Sequence, residues 1–211
     1  MDKIVGQLAD GLAEAGLAEE TLILFYSDNG TDTKVTTRFR GEAIPGGKAS
    51  PLQTGIRVPL IAYQPGTVEP GQVRDDLIDA SDFLPTLAEL AKSDIPADWP
   101  IDGISFEPSL AGEPGSARES AFFWYDPRPG WDKERFTRHI FALDHDYKLF
   151  SDGSLYDISG DALKEDLIEG ELSDEQATAK AKLQIVIEKN LAGPMSENAK
   201  MLVDAFGDPI E

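Results

Sequence analysis

Apolar residues near the start of the chain recur at close to helical spacing and then give way to one short continuous apolar run. Within residues 2–17 they fall at Ile4, Val5, Leu8, Leu12 and Leu17. This spacing predicts an amphipathic helix. The run Thr21–Tyr26 follows between polar residues and predicts a strand covered by helices on both faces. A helix, a short loop and a buried strand in this order are typical of an α/β sheet.

The middle of the chain alternates between glycine-rich polar stretches and apolar segments. Residues 31–56 are polar and rich in glycine, and we expect a long functional loop there. Arg57–Tyr63 predicts a second strand, which Pro59 places at an edge or interrupts. Asp79–Ala91 carries apolar residues on one helical face and predicts a helix. Residues 94–119 are rich in Pro, Gly and Asp, and we expect a connecting loop.

The pattern changes near residue 115. Short strand candidates then follow one another closely, with turn-like polar residues between them: Ala121–Tyr125, Arg138–Leu143, Tyr147–Phe150 and Ser154–Ile158. This predicts an antiparallel meander, which a helix over about Ser173–Asn190 closes before a weakly patterned tail. The chain is therefore expected to divide into an α/β part over residues 1–115 and a small antiparallel part with a helix over residues 116–211.

Composition and charge exclude several classes of protein. Hydrophobic residues make up 41% of the chain and charged residues 27%, as in globular chains that bury a core. Lys and Arg total 19 against 39 Asp and Glu, a net charge of −20. This acidity argues against nucleic-acid and anionic-membrane partners, which need clustered basic residues. No Cys is present, which excludes a disulfide, a thiolate zinc site and a Cys nucleophile in this chain.

The sequence carries no recognisable targeting or membrane segment. It has no apolar run of about 18 residues, the length that a membrane-spanning helix needs. The acidic N-terminus lacks the basic and apolar regions of a secretory signal peptide. The localisation of the protein is therefore left unknown by the sequence.

The polar stretch directly after the first predicted strand offers ligands for a metal ion. Ligands of open α/β sheets bind beyond the carboxyl ends of strands, where Asp28 supplies a carboxylate and Asn29 an amide carbonyl. Both are hard oxygen donors suited to Ca²⁺ or Mg²⁺. Asp-Asn-Gly is also an ordinary turn sequence, and on these residues alone the turn is the favoured interpretation.

Further candidates for a binding site are basic or aromatic. Lys48, in the glycine-rich stretch, suits an anionic substrate group as a point charge, although most such lysines are solvated. Arg57 can pair with an anion or internally. His139 begins a predicted strand and is a candidate pocket residue, whereas His145 lies between two aspartates in a turn. No motif of a nucleotide-binding loop, a serine hydrolase or a His-rich metalloprotease occurs.

Four segments in order carry a resemblance to a known family. They are Ala18–Gly30 with Ser-Asp-Asn-Gly, Gly46–Gly66 with Gly-Gly-Lys and Gly-Ile-Arg-Val-Pro, Leu77–Ala91 with Pro-Thr-Leu, and His145–Leu167 with Tyr-Lys-Leu and Leu-Tyr-Asp. Together they resemble the C-terminal part of a sulfatase of the alkaline-phosphatase-like superfamily, over residues 2 to about 190. The fold that this implies is α/β: a partial mixed sheet flanked by helices, followed by a small antiparallel sheet and a C-terminal helix.

The resemblance implies a role for each matched residue. Asp28 and Asn29 match two ligands of the catalytic divalent cation, usually Ca²⁺. Lys48 matches the lysine that contacts the sulfate of the substrate, and Arg57 matches an arginine of structural importance. His139 has no secure counterpart in the family. In a complete sulfatase, the cation and basic side chains neutralise the sulfate oxygens while a formylglycine hydrate attacks sulfur.

The departures from the family pattern concern the nucleophile above all. Gln53 and Thr54 replace the usual Glu and Gly, and Asp161-Ala162 replaces Asp-Pro. The Cys-x-Pro-x-Arg or Ser-x-Pro-x-Arg that yields formylglycine lies in the family's N-terminal half and does not occur here. The expectation is therefore a C-terminal sulfatase fragment, inactive alone, that partners a missing N-terminal half or forms a homo-oligomer. Complete bacterial-type sulfatases are often periplasmic or secreted.

Two alternative functions stay open at this point. The first is a fragment of a phosphoester or phosphonate hydrolase of the same superfamily, which Asn29 disfavours because such relatives commonly carry His there. The second is a non-catalytic assembly or binding module that kept the fold and lost the chemistry.

Overall fold

A computed structural model describes residues 2–114, 118–125, 138–160 and 163–193. The helices are α1 (Asp2–Glu14), α2 (Gln53–Ile56), α3 (Phe83–Leu90), α4 (Glu107–Leu110) and α5 (Asp174–Leu191). The strands are β1 (Ile23–Tyr26), β2 (Thr36–Phe39), β3 (Glu42–Pro45), β4 (Leu60–Tyr63), β5 (Ala121–Tyr125), β6 (His139–Leu143), β7 (Tyr147–Phe150), β8 (Leu155–Asp157) and β9 (Asp166–Leu167). No helix within these ranges combines the length and the apolar character that crossing a bilayer requires.

The chain forms two compact units that interleave in sequence. The first comprises Met1–Asp28 and Pro59–Arg118, and the second comprises Asn29–Val58 and Glu119–Glu211. The second unit thus takes in residues 29–58 as well as the small antiparallel sheet. The division near residue 115 stays a prediction.

The first unit contains a two-stranded antiparallel sheet. Ile23 of β1 lies opposite Tyr63 of β4, and Tyr26 lies opposite Leu60. β4 begins directly after Pro59, which has no amide hydrogen to donate to a ladder. The apolar run predicts that β1 is covered on both faces, but Tyr26 is 43% exposed and the rest of β1 is only partly buried. In the described residues β4 is the one strand paired with β1.

A buried aspartate organises the turn before α3. The carboxylate of Asp82 is fully buried and accepts hydrogen bonds from the backbone amides of Asp79 at 2.8 Å and Ile104 at 2.7 Å. The guanidinium of Arg118 pairs with the same carboxylate, with Nε at 2.9 Å. Two backbone segments and one cation therefore converge on Asp82.

The second unit contains the predicted meander. β5 to β9 form one antiparallel sheet in sequence order, which confirms the strands expected between Ala121 and Ile158 and adds the short β9. α5 follows, with Ser173 and Gln176 forming a reciprocal capping box at its start. One face of the sheet packs against α5 through a core of buried apolar residues: Ala142, Leu149, Leu155, Leu183 and Ile187.

Two stretches expected to be loops contain regular structure. Within residues 31–56, β2 and β3 form an antiparallel hairpin with Thr36 opposite Pro45. Its turn has positive φ at Arg40 (48°) and Gly41 (88°), as a tight two-residue hairpin requires. The prediction of an unbroken loop is wrong here because both strands are mostly exposed and lack an apolar run. Residues 94–119 likewise contain α4. The chain as a whole is α/β with small antiparallel sheets.

Candidate functional site

The loop that begins at Asn29 is packed against the loop that carries Lys48 through glycine backbone. Gly30 donates a backbone hydrogen bond to the carbonyl of Gly55 at 2.8 Å. A β-carbon on Gly30 would overlap the carbonyl oxygen of Thr54, and one on Gly47 would lie 2.7 Å from the amide nitrogen of Gly55. Only glycine allows these two backbone segments to approach this closely.

Lys48 lies in a tight turn that is tied to the loop after Asn29. Its backbone amide donates to the carbonyl of Thr31 at 3.0 Å. The amide of Ser50 closes the turn by donating to the carbonyl of Gly47 at 3.0 Å, and Ala49 has a φ of 66°, as the third position of a type II turn requires. The side chain of Lys48 is exposed and has no ion-pair partner within the described part of the chain.

The two proposed metal ligands differ in exposure. Asp28 is exposed and Asn29 is partly buried, and the division between the two units falls between them. Burial, followed by the charges of Asp79 and Asp28, raises the pKa of the Tyr26 hydroxyl. The carboxylate of Asp28 therefore contributes to a negative field at the end of β1.

The donor set on this chain fits a divalent cation only in part. Asp28 and Asn29 supply oxygen donors of the right chemistry, but Ca²⁺ takes about six to eight oxygens. Among the described residues, no cluster of three or more His, Asp or Glu side chains is arranged to hold a metal ion. Asp28 and Asn29 alone therefore do not complete the oxygen shell of such a cation, and their role as metal ligands stays a prediction.

Arg57 and the two histidines occupy different surroundings. Arg57 is exposed, and its amide donates to the carbonyl of Gln53 at 2.8 Å, which closes α2. His139 is partly buried in β6 and lies among aromatic rings, with its centroid 5.9 Å from that of Phe150. His145 is exposed in the turn after β6, as its sequence context predicts. The roles of Arg57 and His139 stay predictions.

A buried ion pair that the sequence analysis missed lies beside the Lys48 loop. Lys148 of β7 is completely buried, and its Nζ donates to Oε1 of Glu165 at 2.9 Å and also to the carbonyl of Pro51. The same Glu165 oxygen accepts the backbone N–H of Gln53 at 2.7 Å. Burial lowers the pKa of Lys148 below its ordinary value, and the carboxylate of Glu165 offsets part of this shift.

The side-chain environment of this lysine is aromatic. Its ammonium group lies 4.6 Å from the ring centroid of Phe141 and 4.9 Å from that of Phe150, both within the range of cation–π attraction. Lysines are rarely buried, so the sequence alone favours an exposed residue. The one local signal is the position of Lys148 inside the apolar strand Tyr147–Phe150.

Family models and solved structures identify the family and the fold to which this chain is similar. The α/β elements and the small antiparallel sheet resemble part of the alkaline-phosphatase-like fold of solved sulfatases. The family model for sulfatases matches residues 1–93, and the model described as N-sulphoglucosamine sulphohydrolase, C-terminal, matches residues 48–189. The chain belongs to the sulfatase family.

The relatives are longer than this chain. It is 36% identical over 144 residues to human arylsulfatase A, covering 68% of this chain and 27% of that protein. It is 35% identical over 132 residues to mouse steryl-sulfatase, covering 59% of this chain and 21% of that protein. The chain thus spans roughly a fifth to a third of the length of these curated relatives.

Solved structures show the same partial coverage. The structure of BT4656 in complex with its substrate D-glucosamine-2-N,6-O-disulfate superposes with a TM-score of 0.69 at 27% identity, over 90% of this chain and 37% of that one. The PsFucS1 sulfatase from Pseudoalteromonas sp. superposes with a TM-score of 0.61 at 24% identity, over 90% of this chain and 40% of that one. The second likeness concerns the fold alone.

Proposed function

We propose that this chain supplies part of the active site of a sulfatase, the part that binds the sulfate ester and shares in binding a divalent cation. The observation that carries the proposal is the hydrogen bond between the amide of Lys48 and the carbonyl of Thr31. It holds the lysine turn against the loop that begins at Asn29. These are two of the segments that sulfatases have in this order.

Lys48 is assigned to the sulfate group of the substrate. Its ammonium group is exposed and without an ion pair in the described ranges, so three N–H donors and a positive charge are available to an oxyanion. Because the turn around it is closed by backbone hydrogen bonds, the lysine is presented from a defined position.

Asp28 and Asn29 are assigned to Ca²⁺, or Mg²⁺ in its place. When bound, such a cation supplies positive charge against the sulfate oxygens. The carboxylate of Asp28 and the amide oxygen of Asn29 would hold it. Further acidic ligands are required from outside the described residues.

The nucleophile is assigned to a segment beyond this sequence. No Cys occurs among the 211 residues, and no Ser begins a Ser-x-Pro-x-Arg, so formylglycine cannot form here. A polypeptide of these residues alone is therefore proposed to bind sulfate without hydrolysing its esters.

The test combines an assay with a binding measurement on the purified chain. We expect no release of p-nitrophenol from p-nitrophenyl sulfate, with or without CaCl₂. Titration with sodium sulfate, followed by NMR, should shift the amide signals of Lys48 and Thr31, and Lys48→Ala should remove these shifts. Lys34→Ala is the matched control, since Lys34 is an exposed lysine of the same segment.

Three outcomes would contradict the proposal. Hydrolysis of the aryl sulfate by the chain alone would show that a nucleophile is present. Shifts that survive in Lys48→Ala would exclude Lys48 as the sulfate-binding residue. Shifts that inorganic phosphate produces at much lower concentration than sulfate would argue against sulfatase chemistry.

An assembly role for the same chain is supported by its exposed apolar residues. The first unit exposes Ile4 by 68%, Ile61 by 57% and Leu8 by 53%, which is typical of surfaces that other chains cover. We propose as partner the remainder of a sulfatase or a second copy of this chain. Sedimentation of the chain alone as a stable monomer would contradict the second.

A further inference from the structure

The buried pair of Lys148 and Glu165 is unlike the surface ion pairs of the second unit. Lys148 is fully buried and Glu165 is 5% exposed, whereas both partners of the pair between Lys182 and Glu119 are exposed by 45% and 76%. Exposed pairs contribute little to stability. A buried pair is costly unless its remaining hydrogen-bonding capacity is also satisfied. The groups that form these additional hydrogen bonds therefore show which part of the structure the pair holds.

The additional hydrogen bonds of the pair go to the backbone that follows Lys48. Lys148 donates to the carbonyl of Pro51, and Glu165 accepts the amide hydrogen of Gln53 at 2.7 Å. The amide of Gln53 is the first of α2, where no intrahelical partner is available. Without Glu165, this amide loses its only side-chain acceptor among the described residues.

The Lys48 turn is therefore fastened at both ends. Upstream, the amide of Lys48 is bonded to Thr31. Downstream, the buried pair holds the backbone at Pro51 and Gln53. Lys148 itself lies on β7, the central strand of the small sheet, between β6 and β8. The turn residue Ala49, at a φ of 66°, adopts a conformation that L-residues rarely occupy unless the surroundings impose it.

We propose that Lys148 and Glu165 are positioning residues that hold the Lys48 turn in the geometry that binds sulfate. This inference rests on the proposed function, because it takes Lys48 as the sulfate-binding residue. Because both side chains are buried, the role assigned to them involves no contact with the substrate. They act by linking the lysine turn to the rigid sheet through a contact that no local sequence pattern encodes.

The test uses the full chain with isosteric variants. Glu165→Gln keeps the shape but removes the charge, and the double variant Lys148→Met with Glu165→Gln removes both buried charges while filling a similar volume. The matched control is Lys182→Met with Glu119→Gln, which removes the exposed pair of the same unit. Hydrogen exchange is measured for segments 47–57 and 139–157, and sulfate affinity is measured by the NMR titration.

In the double variant we expect exchange in segment 47–57 to accelerate about tenfold or more, and sulfate affinity to fall about tenfold, the effect of losing hydrogen bonds to charged groups. Exchange in segment 139–157 should stay within about twofold of the parent chain, because its core on the α5 side is apolar and intact. The control pair should change neither quantity.

The possible results separate this inference from the proposed function. Unchanged sulfate affinity in the double variant, with Lys48→Ala still abolishing binding, overturns the positioning role alone. Sulfate binding that persists in Lys48→Ala overturns the proposed function, while the exchange of segment 47–57 still reports whether the pair holds the turn. Equal acceleration in both segments means that the pair stabilises the whole unit, and this also overturns a positioning role.

Discussion

Gly30 and Gly55 lie backbone against backbone, joined by a hydrogen bond of 2.8 Å from the amide of Gly30 to the carbonyl of Gly55. The contact brings the chain after Asn29 next to the chain that follows Lys48. Gly47 belongs to the same contact, because a β-carbon on it would lie 2.7 Å from the amide nitrogen of Gly55. These glycines are thus needed for close approach rather than for flexibility, and the relative placement of the Asn29 and Lys48 loops depends on them.

Gly55→Ala is expected to destabilise the second unit. A β-carbon there would overlap the carbonyl oxygens of Gly47 and Ser50, and overpacking of this kind costs about 1–3 kcal/mol. Urea unfolding followed by circular dichroism measures the change. Gly11→Ala is the matched control: nothing lies within 4 Å of its β-carbon position in α1, so it should stabilise by about 0.5–1 kcal/mol. Equal stability of the two variants would show that the glycine contact is not tight.

Asp82→Asn is expected to destabilise the first unit strongly. The carboxylate is completely buried, and the Arg118 side chain paired with it is only 10% exposed. The substitution removes the charged partner of the Arg118 guanidinium, and breaking a buried ion pair in this way costs about 3–5 kcal/mol. Asp76→Asn provides the comparison, since its ion pair with Arg74 is more exposed and should contribute about 1 kcal/mol or less. The midpoints of urea unfolding measure both changes. A loss of stability in Asp82→Asn no larger than in Asp76→Asn would argue against a stabilising role of the buried Asp82 carboxylate.

The sequence pattern predicts local elements well where elements that are neighbours in the chain also pack together. The meander over Ala121–Ile158 and helix α5 were identifiable because each strand pairs with its neighbour along the chain and the helix covers the same face. The hairpin of β2 and β3 escaped prediction because its residues are mostly exposed, so no alternation of apolar positions marks it. Its one signal was Arg40-Gly41, at which both φ values are positive.

The candidate site was predictable only as isolated residues. Their neighbours in sequence mark Asn29 and Lys48 as candidates, but the backbone contacts that join their loops are between residues far apart in the chain. The contact between Gln53 and Glu165 spans 112 positions, and neither residue type indicates burial. Side chains that act on a distant backbone leave no periodic pattern, so Lys148 and Glu165 emerged only from the structure.

Asp157 is expected to make the stability of the second unit sensitive to acid. Hydrogen bonds from the hydroxyl of Ser159 at 2.7 Å and from its amide at 2.9 Å hold the pKa of this carboxyl below its ordinary value of 3.8. Because the folded pKa is lower than the unfolded one, the stabilisation is fully present above the unfolded value and is lost as the pH falls through the folded value.

The variant Asp157→Asn keeps an acceptor for Ser159 but cannot titrate. We expect the parent chain to exceed it in stability at about pH 6, and the difference to shrink at about pH 3. Urea unfolding of both proteins at the two pH values measures it. A difference that is independent of pH would mean that the charge of Asp157 does not contribute.

The exposed apolar residues of α1 are expected to drive self-association of the chain. Ile4 and Leu8 lie one turn apart on this helix and are 68% and 53% exposed, so they form a continuous apolar stripe. Burial of such a stripe stabilises association by about 25 cal/mol per Å².

Light scattering should give a mass above the 22.9 kDa of one chain, and Ile4→Glu with Leu8→Glu should lower it toward that value. Ile185→Glu is the control, because Ile185 is 64% exposed on α5 of the other unit and should leave the mass unchanged. A thermally stable monomer in the parent chain would show that the α1 stripe tolerates water and that no partner is needed to cover it.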